Sequence, residues 1–151
     1  MLSPPVDPTI LRNYSMALGL CSTLFICRVV GQLLVALFDA PFLPPMQQWY
    51  SGLIPYPLLL PIQIAIIVLM LWLVRDFARG RGYFVQPHPR AGRILRWLSI
   101  VYFASMVLRY TITMWLHPEW RWFSGTIPIW FHMVLALFLF IYSHYHLRVR
   151  N

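Results

Sequence analysis

Four long apolar stretches dominate the sequence and determine which solvent the chain folds in. They cover approximately residues 14–38, 56–75, 95–116 and 127–147. Each is about as long as, or longer than, the roughly 20 helical residues that cross about 30 Å of hydrocarbon. Apolar residues make up 60% of the chain and charged residues only 11%, which is too little charge for a water-soluble domain of this size. We therefore predict an all-α integral membrane protein in which residues 1–151 form one domain of four transmembrane helices.

The first apolar stretch follows a short proline-rich segment, "MLSPPVDPT", at residues 1–9. The apolar run from Tyr14 to Phe38 is longer than the core of a cleaved signal peptide, and no small-x-small cleavage pattern follows it. We therefore expect this stretch to remain as a membrane span. The prolines before it predict an extended strap or a surface anchor.

The distribution of arginine predicts how the spans are oriented. The region of the predicted basic loop 76–94 carries six arginines, which are Arg75, Arg79, Arg81, Arg90, Arg93 and Arg96. The loops 39–55 and 117–126 contain a single basic residue, Arg121. Because loops rich in Lys and Arg stay in the cytoplasm, we expect the loop 76–94 and both termini to be cytoplasmic. The formal net charge of +8 then reflects topology and attraction to the anionic head groups of the lipid bilayer, and no nucleic-acid partner is expected.

A heptapeptide occurs twice in nearly the same form. It reads "WYSGLIP" at residues 49–55 and "WFSGTIP" at residues 122–128. A similar alignment, with a gap in the outer loop, places Arg28 on Arg109. Because each half would start and end on the same side, these matches predict an internal duplication: two tandem helix hairpins of one orientation, related by an axis along the membrane normal. The heptapeptide also has a structural explanation, since aromatic rings suit the head-group level and proline suits the first turn of a helix.

Two arginines inside the predicted spans are the strongest candidates for a functional site. Arg28 and Arg109 occupy equivalent positions in the repeat, and each has a polar residue one helical turn later, Gln32 and Thr113 respectively. An arginine inside a span costs at least about 2.5 to 3.5 kcal/mol on insertion scales. All four acidic residues lie at or beyond the ends of the spans. Two interpretations stay open: the guanidinium groups snorkel or bond backbone carbonyls, or they contact a ligand or a partner protein.

Histidine is the other residue type that binds cofactors in membrane bundles. His132 is the only histidine well inside a predicted span, and we keep it as a candidate contact residue. His144 and His146 lie near the other end of the same span, so no pair of histidines at one depth predicts a haem. The sequence identifies no metal site and leaves the cofactor unknown. It also lacks a nucleophile elbow, an H-E-x-x-H motif and a paired intramembrane carboxylate, which favours a protein that is not an enzyme.

These features favour two functions. The first is a non-catalytic integral membrane subunit or scaffold that packs against larger membrane-protein partners, because the intramembrane arginines lack internal acids. The alternative is a stand-alone binder or carrier of an amphiphilic anion such as a lipid, a quinone or an isoprenoid, with Arg28 and Arg109 holding the head group. The layout is similar to that of many small four-span bacterial inner-membrane proteins, although no motif identifies one family. We therefore expect the protein in the bacterial cytoplasmic membrane.

Overall fold

The computed structural model of the protein is all-helical over residues 7–38, 42–49, 55–117 and 126–149, which are the residues that the structure describes. In chain order the helices are α1 (Pro8–Phe38), α2 (Met46–Trp49), α3 (Tyr56–Arg79), a 3-10 helix (Tyr83–Val85), α4 (Pro89–Leu116) and α5 (Ile127–Arg148). The four long helices α1, α3, α4 and α5 are each long and apolar enough to cross a membrane. The prediction of four apolar spans is confirmed at this level. Most of both heptapeptides, together with Asp39 and Glu119, lies outside the described residues.

The helices are longer than the predicted spans. Helix α1 begins at Pro8 rather than near Tyr14, because Asp7 caps it: the Thr9 backbone N–H donates to Asp7 Oδ1 over 2.8 Å. Proline fits the first helical position because its missing N–H has no intrahelical partner there. The prediction of an extended strap is therefore wrong at Pro8 and Thr9, while residues 1–6 lie outside the described residues.

The predicted loop 76–94 is also shorter in the structure, because α3 continues to Arg79 and α4 already begins at Pro89. Gly80 ends α3 with a φ of 62°, a left-handed conformation that glycine adopts without steric cost. Its N–H donates to the Phe77 carbonyl over 3.2 Å. We call the end of the bundle that carries residues 80–88 the basic end, and the opposite end the α2 end.

The long helices pack in the spatial order α3, α1, α5, α4. Helix α1 contacts both α3 and α5, and α4 contacts α5. Within the described ranges, α3 and α4 make no close backbone contact. A twofold axis that relates the two hairpins would map α1 onto α4 and α5 onto α3. The contact between α1 and α5 would then be matched by a contact between α4 and α3. The contacts thus show two packed hairpins joined along α1 and α5, while their origin by duplication stays a prediction.

Aromatic side chains fill the core at the basic end. The ring of Phe77 on α3 meets that of Tyr145 on α5 edge to face, with centroids 4.6 Å apart, and Tyr14 on α1 lies 5.3 Å from Tyr145. The Tyr145 hydroxyl donates to the Val85 carbonyl over 2.7 Å. These contacts bind three long helices and the 3-10 helix together. The hydrogen bond also satisfies a polar group that burial would otherwise leave unpaired.

Helix α4 is attached to α5 by a polar contact nearer the basic end. Arg96 Nε donates to Ser143 Oγ over 3.2 Å, and the guanidinium carbon lies 4.4 Å from the centroid of the Phe140 ring. Such a cation–π contact contributes about 0.5 to 2 kcal/mol, depending on how far it is desolvated. This arginine is therefore satisfied within the bundle.

Candidate functional site

Arg28 is buried in the centre of the α2 end of the bundle. Its side chain is 7% exposed, and its Nη2 donates to the backbone carbonyl of Trp49 over 3.1 Å. The Nε–H has no hydrogen-bond partner in the part of the chain that the structure describes. The buried guanidinium is thus held by a neutral carbonyl, and one of its donors is left unsatisfied.

The short helix α2 brings that carbonyl to Arg28. The Trp49 side chain is 7% exposed and packs in a small apolar cluster with Val35 and Ile127. Its indole N–H donates to the Pro44 carbonyl over 2.8 Å. The ring lies so close to α1 that a Cβ on Gly31 would stand 2.7 Å from Trp49 Cη2. Glycine at this position therefore lets the tryptophan seat against α1 directly beside Arg28.

A cavity of about 180 Å³ lies next to the guanidinium group. Its lining comes from α1, α3 and α5, and Trp49 of α2 also contributes. The residues that line it are Phe25, Arg28, Trp49, Leu59, Ile62, Gln63, Ile66, Pro128, Phe131, His132 and Leu135. The lining is largely apolar with three polar side chains, which is the usual composition of a site for a small ligand.

Two glutamines form a buried bond beside the cavity. Gln63 Nε2 donates to Gln32 Oε1 over 3.2 Å, and the two side chains are 4% and 0% exposed respectively. The remaining atoms of the pair, Gln32 Nε2 and Gln63 Oε1, have no partner among the described residues. Because an amide can rotate to exchange its oxygen and nitrogen, Gln63 can offer either an acceptor or a donor to the cavity.

His132 forms the third polar part of the lining. Its Nδ1 is hydrogen-bonded to the Tyr102 hydroxyl of α4, which leaves Nε2 as the other ring nitrogen. His132 therefore connects the cavity to the hairpin of α4 and α5.

The structure separates the two arginines that the repeat aligns. Arg28 is buried and lines the cavity, whereas Arg109 on α4 is only partly buried and is not one of the lining residues. Thr113, one turn after Arg109, is also partly exposed. Gln32 and His132 lie with Arg28, so the structure brings together three of the five predicted contact residues.

No described carboxylate lies at the depth of Arg28. Asp7 precedes α1 and Asp76 lies near the end of α3, so both belong to the basic end. Asp7 is 21 residues before Arg28, which corresponds to about 30 Å along α1. Across the described ranges, no group of three or more His, Cys, Asp or Glu side chains is placed to hold a metal ion.

Gln63 is the site residue that the sequence analysis missed. It is the only charged or amide-bearing residue between Tyr56 and Arg75, and a lone polar side chain inside a span usually faces protein rather than lipid. That signal was available in the sequence. The Trp49 carbonyl was not predictable, because a backbone contact made by a short helix leaves no side-chain pattern.

The chain matches no protein-family model, no curated protein and no solved structure. Function is therefore inferred from the chemistry of the Arg28 cavity.

Proposed function

We propose that the protein binds an amphiphilic anion in the cavity beside Arg28, as a binder or carrier of a lipid-like, quinone-like or isoprenoid-like molecule. The observation that carries the proposal is a buried arginine at a largely apolar cavity, with one N–H unpartnered and no described carboxylate nearby. Arg28 would hold the head group, Gln63 and His132 would add hydrogen bonds, and the apolar lining would take the adjoining part of the tail.

The energetics favour a ligand over a simple buried cation. Placing an arginine inside a span costs at least about 2.5 to 3.5 kcal/mol, and one neutral carbonyl offsets only part of this cost. Hydrogen bonds that involve a charged group contribute about 1.5 to 3 kcal/mol each. An oxyanion that accepts from Nε would therefore supply both the missing countercharge and the missing acceptor.

A second candidate function is the non-catalytic membrane subunit or scaffold, and the surface of α4 favours it. Among the described helices α4 packs only on α5, and its Trp97 and Trp115 are 70% and 80% exposed. A partner helix would cover such a face in a complex, although lipid also suits it. Isolation of a stoichiometric partner protein from native membranes would favour this second function over the first.

The binding proposal is tested by replacing each intramembrane arginine with leucine. Arg28→Leu and Arg109→Leu both remove one charge from a span, so both variants should insert into the membrane at least as well as the wild type. Only Arg28→Leu removes the cation that lines the cavity. We expect this variant to bind pyrene-labelled amphiphilic anions more weakly by about 2 to 5 kcal/mol, the typical cost of truncating one partner of a buried charged contact.

Arg109→Leu serves as the matched control for insertion and folding. Retention of binding by Arg109→Leu would assign the head group to Arg28 alone, while loss in both variants would support a clamp of two arginines. Equal binding by the wild type and Arg28→Leu would overturn the proposal, because the ligand would then not be held by the Arg28 guanidinium.

We also propose that the protein lies in a bacterial cytoplasmic membrane, with both termini and residues 80–88 in the cytoplasm. The excess of arginine near residues 80–88 supports this orientation. In a variant that lacks Cys21 and Cys27, Phe42→Cys should react with an impermeant thiol reagent from outside the cell. Gln86→Cys should react only after permeabilisation, and the reverse pattern would contradict the orientation.

The internal duplication is proposed on the paired heptapeptides and on the alignment of Arg28 with Arg109. Each half of the chain packs as a hairpin, α1 with α3 and α4 with α5, which is compatible with this origin. An experimental structure should superpose residues 14–75 on 95–148 with Trp49 on Trp122. Unrelated geometry of the two hairpins would reduce the heptapeptide to a recurrent interfacial turn.

A further inference from the structure

The space between α3 and α5 changes character along the bundle. At the basic end it is closed by aromatic rings, with Phe77 of α3 against Tyr142 and Tyr145 of α5 at centroid distances of 6.1 and 4.6 Å. At the α2 end the same two helices form the two sides of the Arg28 cavity. They make no close backbone contact within the described ranges. In the half of the bundle that holds Arg28, the gap between the two helices is therefore the cavity itself.

The mouth of this gap is apolar, and its inner part carries polar side chains. Ile62 on α3 lines the cavity and is 47% exposed, whereas the next residue, Gln63, is 4% exposed and points inward. Trp49 covers the cavity from the α2 end. In a bilayer the exposed side of α3 faces hydrocarbon, so a ligand with an apolar chain can reach Arg28 sideways from the lipid.

The depth of the site restricts the kind of head group. Gln63 lies seven residues into α3, about 10 Å along the helix, and Arg28 lies ten residues before the end of α1, about 15 Å along it. Lipid phosphates lie in the head-group layer outside the roughly 30 Å hydrocarbon core. Centred on that core, the 24 residues of α3 extend about 3 Å beyond each face, so Gln63 lies about 7 Å inside the hydrocarbon. A head group at the cavity must therefore leave the head-group layer, which is easier for a small group than for a phosphodiester with two chains.

Charge and volume restrict the ligand further. Arg28 is the only arginine or lysine among the described residues that line the cavity, so one negative charge neutralises it, while a phosphate monoester carries about 1.5 to 2 charges near pH 7. The cavity volume of about 180 Å³ is below the roughly 300 to 1,000 Å³ of pockets that enclose a drug-sized ligand. The site has room for a small head group and the first part of a single chain.

We infer that the cavity takes the carboxylate of a single-chain amphiphile, which reaches Arg28 from the hydrocarbon through the gap between α3 and α5. This inference rests on the proposed function, because it specifies the class of anion and its route to the same site. The carboxylate oxygens accept from the Arg28 guanidinium, and the chain leaves past Ile62 into the lipid.

The head-group class is tested with three probes that carry the same chain: hexadecanoate, hexadecyl phosphate and hexadecanol. Each displaces a pyrene-labelled carboxylate from the purified protein in a nonionic detergent at about pH 8.5, where carboxyl groups are ionised. We expect hexadecanoate to bind at least about tenfold more tightly than either competitor, and tenfold corresponds to about 1.4 kcal/mol. In Arg28→Leu its advantage over hexadecanol should disappear.

The outcomes separate this inference from the proposed function. Tighter binding of hexadecyl phosphate that depends on Arg28 would overturn the carboxylate class and leave the binding proposal intact. Absence of any Arg28-dependent binding by either anion would overturn both.

The lateral route is tested by narrowing its mouth. Ile62→Trp places a bulky indole ring at the edge of the cavity. Ile64→Trp is the matched control on the same helix, because Ile64 is 51% exposed and does not line the cavity. In lipid nanodiscs, Ile62→Trp should slow the association of the labelled carboxylate about tenfold or more, whereas Ile64→Trp should leave it at the wild-type rate. Equal association rates in both variants would contradict access between α3 and α5.

Discussion

Gly31 should be the position at which the smallest change most disturbs the Arg28 site. A Cβ added there would stand 2.7 Å from Trp49 Cη2 and 3.2 Å from Cζ3, so Gly31→Ala must push the tryptophan away from α1. Alanine favours a helix by about 0.8 to 1.0 kcal/mol over glycine. Overpacking costs about 1 to 3 kcal/mol, so the net change for Gly31→Ala should range from none to a loss of about 2 kcal/mol.

Gly19→Ala provides the matched control on the same helix. Its added Cβ would lie 3.8 Å from Val74 Cγ1, an ordinary van der Waals contact, so only the gain in helix propensity should remain. The free energies of unfolding, measured by dodecyl sulfate titration in mixed micelles, should therefore differ between the two variants by about 1 to 3 kcal/mol. Displacement of Trp49 should also weaken anion binding in Gly31→Ala, because Arg28 donates to the Trp49 carbonyl.

Equal stabilisation by Gly31→Ala and Gly19→Ala, with binding unchanged in both, would refute this reasoning. It would mean that Trp49 does not seat against α1 and that α2 does not determine the surroundings of Arg28.

Two further predictions concern the basic end of the bundle. Tyr145→Phe removes the buried 2.7 Å hydrogen bond to the Val85 carbonyl. Because it leaves a buried acceptor unpaired, it should lower the free energy of unfolding by about 1 to 3 kcal/mol. An unchanged unfolding transition in the same micelle titration would contradict this. Gly82→Ala should destabilise more than Gly80→Ala, because a Cβ on Gly82, where φ is 128°, would overlap the Asp76 carboxylate, whereas the nearest atom to a Cβ on Gly80 is 3.4 Å away. Thermal unfolding of the two variants in detergent measures the order.

The number and approximate position of the membrane helices could be predicted from the sequence, because hydrocarbon thickness and apolar run length determine them. The positions of the helix ends were harder to predict. Asp7 and Pro8 form a cap and a first turn, a local signal that the proline content of the leader obscured. Helix α3 likewise extends past the apolar run to Gly80, where the left-handed turn ends it.

The candidate site was predictable only in part. Arg28 and Gln32 stand one turn apart and both are buried, whereas the same spacing at Arg109 and Thr113 accompanies partial exposure. The repeat suggested equivalent surroundings for Arg28 and Arg109, but burial depends on which neighbours cover a helix. Helix α1 lies between α3 and α5, whereas α4 contacts α5 alone among the helices that the structure describes. The alignment of the two halves does not encode this difference in packing.

Native mass spectrometry of the protein extracted from its own membrane in a nonionic detergent tests the central claim most directly. The wild-type chain of 17.8 kDa should retain an anionic amphiphile that survives mild desolvation and is released at higher collision energy. Arg109→Leu, prepared in parallel, controls for nonspecific adducts on a chain that has lost one intramembrane arginine. The account predicts that Arg28→Leu appears without the amphiphile. The same adduct at the same occupancy in wild type and Arg28→Leu would contradict the claim that Arg28 holds the head group.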